Sequence, residues 1–303
     1  MPKNKLNPFT LDTNELIKVV DLSFSYGTKV DNNPPVLKNF NFSFKNNLIY
    51  CVCGSSGSGK STLVSHFNGL LKSKTGKIWV KDIFIDPKKR KIKKFKLLRR
   101  YVSMVFQFAE YQLFKSTVEK DIMFGPLSLG VEKKIAKKNA ELTLNKLGLD
   151  STYLSRSPFD LSGGQKRRVA IAGVLAIDSD IIIFDEPTTG LDPESENDML
   201  EIILREKKNG KTIIVVSHHM DHILRIADCV LVLKNGELLA SGSPYEIFTD
   251  EELLKNANLY KPYVIKIIDY FIKENPVFHK LYDYKPTDLV SLAHAVKKVA
   301  FHD

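Results

Sequence analysis

Apolar residues fall along this chain in two patterns. The first is short runs with little polar interruption, Leu48 to Cys53, Val102 to Phe106, Ile181 to Phe184 and Thr212 to Val216. Each has strand length and lacks polar alternation, which predicts strands covered on both faces, as in parallel βαβ units. A further strand is expected at Ile78 to Val80, opened by Gly76. The second pattern is helical. Leu63, Phe67, Leu70 and Leu71 are spaced i, i+4, i+7 and i+8, an apolar stripe on a helix that follows the first long run. From Glu110 to about Asp160 no strand signal occurs, and Ile135, Asn139, Leu142 and Leu144 to Leu149 suggest a helical insertion. Val230 to Lys234 and Glu237 to Ala240, joined by Asn235-Gly236, predict a hairpin with a two-residue turn. From Pro244 to Asp303 the pattern is helical again, broken at Pro262, Pro276 and Pro286.

Composition narrows the class without choosing a function. The 303 residues suggest about two structural units, and 43% hydrophobic with 26% charged residues is ordinary for a folded protein. No apolar stretch approaches the ~18 residues of a membrane helix, and the first residues hold no apolar segment of leader length, so a cytosolic location is expected. Cys51, Cys53 and Cys229 are odd in number and lack CxxC spacing, which argues for reduced thiols over a disulfide framework or a zinc site. The net charge of +10 is unevenly spread, since Lys88 to Arg100 holds nine basic residues and no acid in 13 positions. Interleaved with Ile92, Phe95, Leu97 and Leu98, that run reads as an amphipathic basic helix or an exposed loop. A solvated face, an anionic lipid or partner contact, and nucleic acid all remain open for it.

Candidate chemistry begins at the first strand. Gly54-Ser55-Ser56-Gly57-Ser58-Gly59-Lys60-Ser61-Thr62 lies between an apolar run and a helical stripe. Glycines at this spacing let backbone N–H groups turn inward around phosphate, and the following helix start adds a favourable dipole. Lys60 is expected to reach the β and γ phosphates, and the Ser61 hydroxyl to ligate Mg²⁺. A chance match arises in roughly one chain of this length in a hundred. Asp185 and Glu186 end the apolar run Ile181 to Phe184, so a buried strand delivers two carboxylates that alternation points differently. Asp185 suits Mg²⁺ through water; Glu186 suits orienting, or taking a proton from, the water that attacks the γ phosphate.

Leu161-Ser162-Gly163-Gly164-Gln165, just ahead of a helical run, sets the class of nucleoside triphosphatase. With it the chain resembles the ATP-binding cassette superfamily over roughly residues 16–242. The resemblance implies an α/β fold: a P-loop NTPase cassette with a RecA-like mixed sheet, an N-terminal antiparallel β segment, a helical lobe and a C-terminal helical extension. It implies a cassette over residues 1–243, with its core at about 16–107 and 161–243, a lobe at about 108–160 and an accessory segment at 244–303. It also implies that residues 161–165 close over ATP held by a second cassette, in a head-to-tail pair with two ATP molecules between.

Further roles follow from the same resemblance. Gln107 looks like the glutamine that senses Mg²⁺ and the attacking water; an ordinary polar strand end is the alternative. Thr188 to Asp192 looks like the dimer-contact loop, with Asp192 the contact residue, and an N-cap before Pro193 is compatible with that. His218 resembles the switch histidine that contacts the γ phosphate, while His219, standing where the family has aspartate, is the competitor. Tyr26 resembles the aromatic on which adenine stacks, with core packing of Phe24 or Tyr26 as the alternative.

A narrower likeness lies in Phe106 to Phe114, Asp121 to Pro126 and Gly163 to Ala176, which together are similar to the ATPase subunits of energy-coupling factor transporters, the second ATPase type more than the first. Ala109 departs from the proline common there. This likeness implies ATP-driven uptake of a vitamin or transition metal, with two ATPases (a second copy or a paralogue) docked on a membrane T component and a separate S component capturing substrate. It implies a peripheral position on the cytoplasmic face of the cell membrane and no specific nucleic acid. Another ABC importer, a soluble regulatory ATPase or a DNA-acting relative are the alternative readings. DNA-acting relatives carry long heptad insertions, and none occurs between Lys60 and Leu161.

Overall fold

The computed structural model describes residue 11, residues 14–27 and residues 34–301. The N-terminal stretch that bears on a leader lies largely outside the described residues. In chain order the elements are β1 (Glu15–Phe24), β2 (Leu37–Lys45), β3 (Ile49–Cys53), α1 (Lys60–Phe67), β4 (Lys77–Val80), β5 (Ile83–Ile85), α2 (Phe95–Tyr101) and β6 (Val102–Val105). Then come α3 (Val118–Ser128), α4 (Lys133–Lys146), α5 (Gly163–Leu175), β7 (Ile181–Asp185), α6 (Pro193–Lys208), β8 (Thr212–Val216), α7 (Met220–Ile226), β9 (Cys229–Lys234) and β10 (Glu237–Gly242). The chain ends in α8 (Pro244–Thr249), α9 (Glu251–Ala257), α10 (Tyr263–Glu274), α11 (Leu281–Tyr284) and α12 (Leu289–Phe301).

The described residues form two sheets. The larger runs β10-β9-β3-β8-β7-β6, parallel throughout except for the β10 edge, and the smaller, β2-β1-β4-β5, is antiparallel. The unbroken apolar runs are the central strands of the larger sheet, and every residue of β3, β7 and β8 is buried. Strand alternation divides them between two cores. Tyr50, Val52, Ile181 and Ile183 face the small sheet and α1, whereas Ile49, Cys51, Ile182 and Phe184 face the helices. Phe44 anchors the first core, with its ring edge-on to those of Tyr50 and Phe67 at 4.9 and 5.3 Å.

The helical expectations need two corrections. α1 stops at Phe67, so Leu70, which the i, i+7 spacing put on its apolar stripe, is exposed. In α4 the buried side is Ala136, Ala140, Thr143 and Leu144, one residue out of phase with the larger apolar side chains. Small residues let α4 approach closely, and Asn139 faces inward to donate to the Ala176 carbonyl at the end of α5 (3.2 Å). Ile135 and Leu142 therefore remain in solvent.

The basic run is mostly turns up to Lys94, with only Phe95–Tyr101 helical. The C-terminal helices pack Phe248, Ile265, Ile268 and Leu281 into the same core as the helix-facing side of the large sheet. The Tyr260 hydroxyl accepts from Met220 N at the start of α7 (3.0 Å), and Asp221 accepts from Tyr263 N at the start of α10 (2.7 Å). Among the described residues no helix is long and apolar enough to cross a membrane.

Candidate nucleotide site

Four neighbouring parallel strands, β3, β8, β7 and β6, end at one edge of the large sheet, and each releases a candidate residue there. β3 runs into Gly54, β6 ends two residues before Gln107, β7 ends at Asp185 with Glu186 following, and β8 ends two residues before His218. The carboxyl edge of an open parallel sheet is where such folds bind ligand, because the strand-to-helix turns leave a crevice there.

The loop between β3 and α1 is shaped by its glycines. A Cβ on Gly54 would lie 2.1 Å from the Leu233 carbonyl oxygen, and one on Gly59 would lie 2.8 Å from that of Val36, both at positive φ. Only glycine fits this path. The buried Ser58 hydroxyl has no hydrogen-bond partner among the described residues. Lys60 Nζ folds back to donate to the Gly54 and Ser55 carbonyls, both at 2.9 Å. Burial pushes its pKa down, while Glu186, Cys53 and Asp185 pull it back up. The Ser61 hydroxyl donates to Asp185 Oδ1 (3.1 Å), and burial, opposed by that bond, raises the Asp185 carboxyl pKa. Gly57 and Ser56 at the loop tip are exposed. A cramped cradle, an unpartnered hydroxyl, a partly desolvated ammonium and a serine–aspartate pair together fit a phosphate chain with its magnesium ion.

Glu186 adopts a left-handed backbone, φ +51°, rare for a residue with a side chain, and its N–H is held by the Val216 carbonyl (2.9 Å). That conformation turns its carboxylate toward the end of β8, where His218 Nδ1–H donates to Glu186 Oε2 (2.7 Å). His219 instead lies between His218 and His222, ring centroids 4.2 and 5.0 Å away. Of the two histidines, His218 meets the carboxylate. Gln107 is exposed two residues past β6, whose last pairing with β7 is Val105 with Phe184. Tyr26 is 49% exposed, edge-on to Phe24 (4.9 Å), and its hydroxyl lies 3.0 Å from Thr62 Oγ1 on α1. Phe24 takes the inward place, packing edge-on to His66, and Tyr26 is left beside the loop.

Residues 161–165, the signature of the family that the sequence resembles, lie at the start of α5. Leu161 is buried as an anchor. Ser162 and Gln165 cap α5 reciprocally: Gln165 N donates to Ser162 Oγ (3.4 Å) and Ser162 N to Gln165 Oε1 (3.0 Å), while Gln165 Nε2 donates to the Tyr153 hydroxyl (3.1 Å). Gly163 and Gly164 are exposed, and a Cβ on either would meet nothing within 4 Å. Asp192 caps α6, accepting from Glu194 N (3.1 Å) and Ser195 N (3.0 Å), and these bonds hold its carboxyl below the usual range.

Arg167 did not stand out in the sequence. Buried one turn into α5, it donates through Nη1 to the Thr189 carbonyl (3.1 Å) and through Nη2 to that of Pro187. It thus braces the loop after Glu186 against the signature helix. Its signal was present but masked, because Lys166-Arg167-Arg168 reads as a surface charge cluster unless the helix phase is known.

The ABC transporter family matches residues 37–189 of this chain. The energy-coupling factor transporter ATP-binding protein EcfA2 of Mycoplasmoides gallisepticum is 51% identical over 97% of this chain and 95% of its own length. Its namesake in Mycoplasma pneumoniae is 52% identical over 95% of each. Among solved structures, cbiO1 of Clostridium perfringens, part of the ABC transporter complex cbiONQ, superposes with a TM-score of 0.68 at 33% identity over 81% of this chain and 95% of its own. The dimeric ATP-binding cassette MJ0796, in a post-hydrolysis state bound to ADP and Pi, gives 0.66 at 26% identity over 76% of this chain and 99% of its own. This chain belongs to the ABC transporter family and, within it, to the energy-coupling factor transporter ATP-binding proteins.

Proposed function

We propose that the chain is the ATP-hydrolysing subunit of an energy-coupling factor importer, with residues 1–243 as its nucleotide-binding cassette and 244–303 as an accessory segment. ATP is the substrate: residues 54–62 hold its phosphates and Tyr26 supports its base. Mg²⁺, held by Ser61 and approached by Asp185 and Gln107, would neutralise the charge between the β and γ phosphates. Lys60 turns from its two carbonyls to the phosphate oxygens. Glu186 takes a proton from the water as that water's oxygen bonds to the γ phosphorus and the bond to the β-phosphate oxygen breaks. His218 fixes the Glu186 carboxylate and faces the same point.

One observation carries the two-chain part of this reading. Gly163 and Gly164 answer no internal requirement, although glycine costs a helix about 1 kcal/mol against alanine. Open backbone at a helix start suits an anion brought by another molecule, here the ATP of a second cassette. Tyr111, Phe114, Phe124 and Leu127 are exposed beside Gln107 and on α3, an apolar surface suited to the membrane T component, with an S component supplying the vitamin or metal. Such a subunit sits on the cytoplasmic face of the membrane.

Replacing Glu186 with glutamine should retain ATP in an equilibrium titration and lower phosphate release at least about a hundredfold. Undiminished turnover removes Glu186 from this role. Mild detergent extraction of the tagged chain should bring a polytopic membrane protein. Recovery without one, together with DNA-stimulated turnover, overturns the transporter reading.

A further inference from the structure

Forty-five basic against 35 acidic residues leave an excess of ten, and Lys88 to Arg100 alone supplies nine positive charges with no acid. The rest of the chain is balanced to within one charge. The excess is therefore a single local device, built on the segment between β5 and β6.

That segment is fixed in place. Lys72 Nζ donates to the Pro87 carbonyl (3.2 Å) and to that of Lys89, and Asp86 Oδ1 accepts from Lys88 N (2.9 Å). A Cβ on Gly69 would lie 2.9 Å from Ile92 Cδ1 and from Phe95 Cε2, and 3.2 Å from Leu98 Cδ2, so the apolar members of the run are seated on the end of α1. With Leu98 buried, Ile92 half-buried and only one edge of Phe95 against the body, the charged side chains point out: Lys88 to Lys91, Lys93 and Lys96 are all exposed. Within the run, the ion pair found is Lys94 with Asp82 (2.9 Å), and it leaves Lys88 to Lys91, Lys93, Lys96 and Arg100 facing water. The edges carry exposed aromatic rings, Phe84 stacked on Trp79 and Phe95 beneath the Arg99 guanidinium at 4.4 Å. A cavity of about 300 Å³ is lined by Phe84, Lys89, Lys91, Lys93 and Lys94 together with Asp82 and Asp86, of which Asp82 is paired with Lys94.

We infer that this face is a membrane-contact surface that lies on anionic lipid headgroups. Clustered lysines attract such a surface without needing a fixed partner geometry, and flanking aromatic rings suit its interfacial layer. Nucleic acid is the weaker fit, because the one helix of the run is seven residues long and packs Leu98 into the body, presenting no element to a groove. The inference deepens the importer reading, in which the chain already sits at a membrane.

The test is co-sedimentation of the full chain with vesicles of phosphatidylcholine alone or with about 30% phosphatidylglycerol. Binding is expected only to the anionic vesicles, and should be lost when KCl is raised from about 0.1 to about 0.5 M. Neutralising Lys88, Lys89, Arg90, Lys91 and Lys93 to glutamine should lower the partition coefficient at least about tenfold. The same number of changes elsewhere, at Lys133, Lys134, Lys138, Lys255 and Lys273, should lower it less than about threefold, which separates the patch from net charge. Equal binding to both vesicle types, full binding by the first variant, equal losses in the two variants, or a patch-dependent preference for duplex DNA at the same salt each overturns the inference. Failure of the importer reading shows separately, as recovery without a membrane protein together with DNA-stimulated turnover.

Discussion

His66 shows how a single buried side chain makes stability depend on pH. It lies wholly inside α1, its Nδ1–H donates to the Thr62 carbonyl (2.7 Å), and its Nε2 is buried without a partner. Burial pushes its pKa from 6.5 down to about 4, only partly opposed by the bond to Thr62. Above about pH 6.5 the ring is neutral whether the chain is folded or not, and the fold keeps its full stability. As pH falls from there toward 4, the unfolded chain takes up a proton that the folded chain refuses, so stability declines, by about 3 kcal/mol over the window. Thermal melts of wild type and His66→Leu across pH 4 to 7 isolate this contribution as a difference. The wild-type curve should fall more steeply below pH 6.5. Parallel curves would rule out a neutral buried histidine. Because α1 begins at Lys60, this acid sensitivity belongs to the element that follows the phosphate loop.

At the scale of elements, α5 joins two parts of the site. Its first residues form the signature surface, and one turn later Arg167 reaches the carbonyls of Pro187 and Thr189 in the loop after Glu186. Arg167→Ala should leave both acceptors, of which that of Pro187 is buried, without this donor, destabilise the chain by about 1–3 kcal/mol in denaturant titrations and slow turnover. ATP affinity should persist, since the carbonyls that Arg167 holds belong to the loop after Glu186 and not to residues 54–62. A variant with normal turnover would show the brace to be structural only. The same helix marks how far the sequence could be read. The parallel strands were legible because both faces are buried, and the phosphate loop and acidic strand end because their spacing is fixed by backbone geometry. The phase of α4 was not legible, because packing chose Ala136 and Ala140 over Ile135 and Leu142 for closeness to α5. The early end of α1 and the inward turn of Arg167 were hidden for a related reason. Periodicity records which residues are apolar, whereas burial depends on what the neighbouring helix can admit.

For the whole molecule, the decisive question is which chain supplies each half of a nucleotide site. The phosphate loop, Asp185, Glu186 and His218 gather at one sheet edge, while Ser162, Gly163 and Gly164 present an open helix start that bonds only locally, to Gln165 and Tyr153. If a chain acted alone, improving that helix start should do no harm. Gly164→Glu does improve it: the backbone there is free of positive φ, no atom lies within 4 Å of an added Cβ, and the new carboxylate stands in the first turn. Relief from glycine and the favourable helix dipole should together raise stability by up to about 1 kcal/mol. In a two-chain site the same carboxylate would meet the partner nucleotide's phosphates and repel them. The expected result is therefore a split: the isolated chain keeps its melting temperature and its own ATP affinity within about twofold, while turnover of the assembled complex drops at least about tenfold. A variant that melts no earlier and hydrolyses ATP at the normal rate would place the signature outside the nucleotide site. One that loses ATP affinity as an isolated chain would place it in the same chain's site.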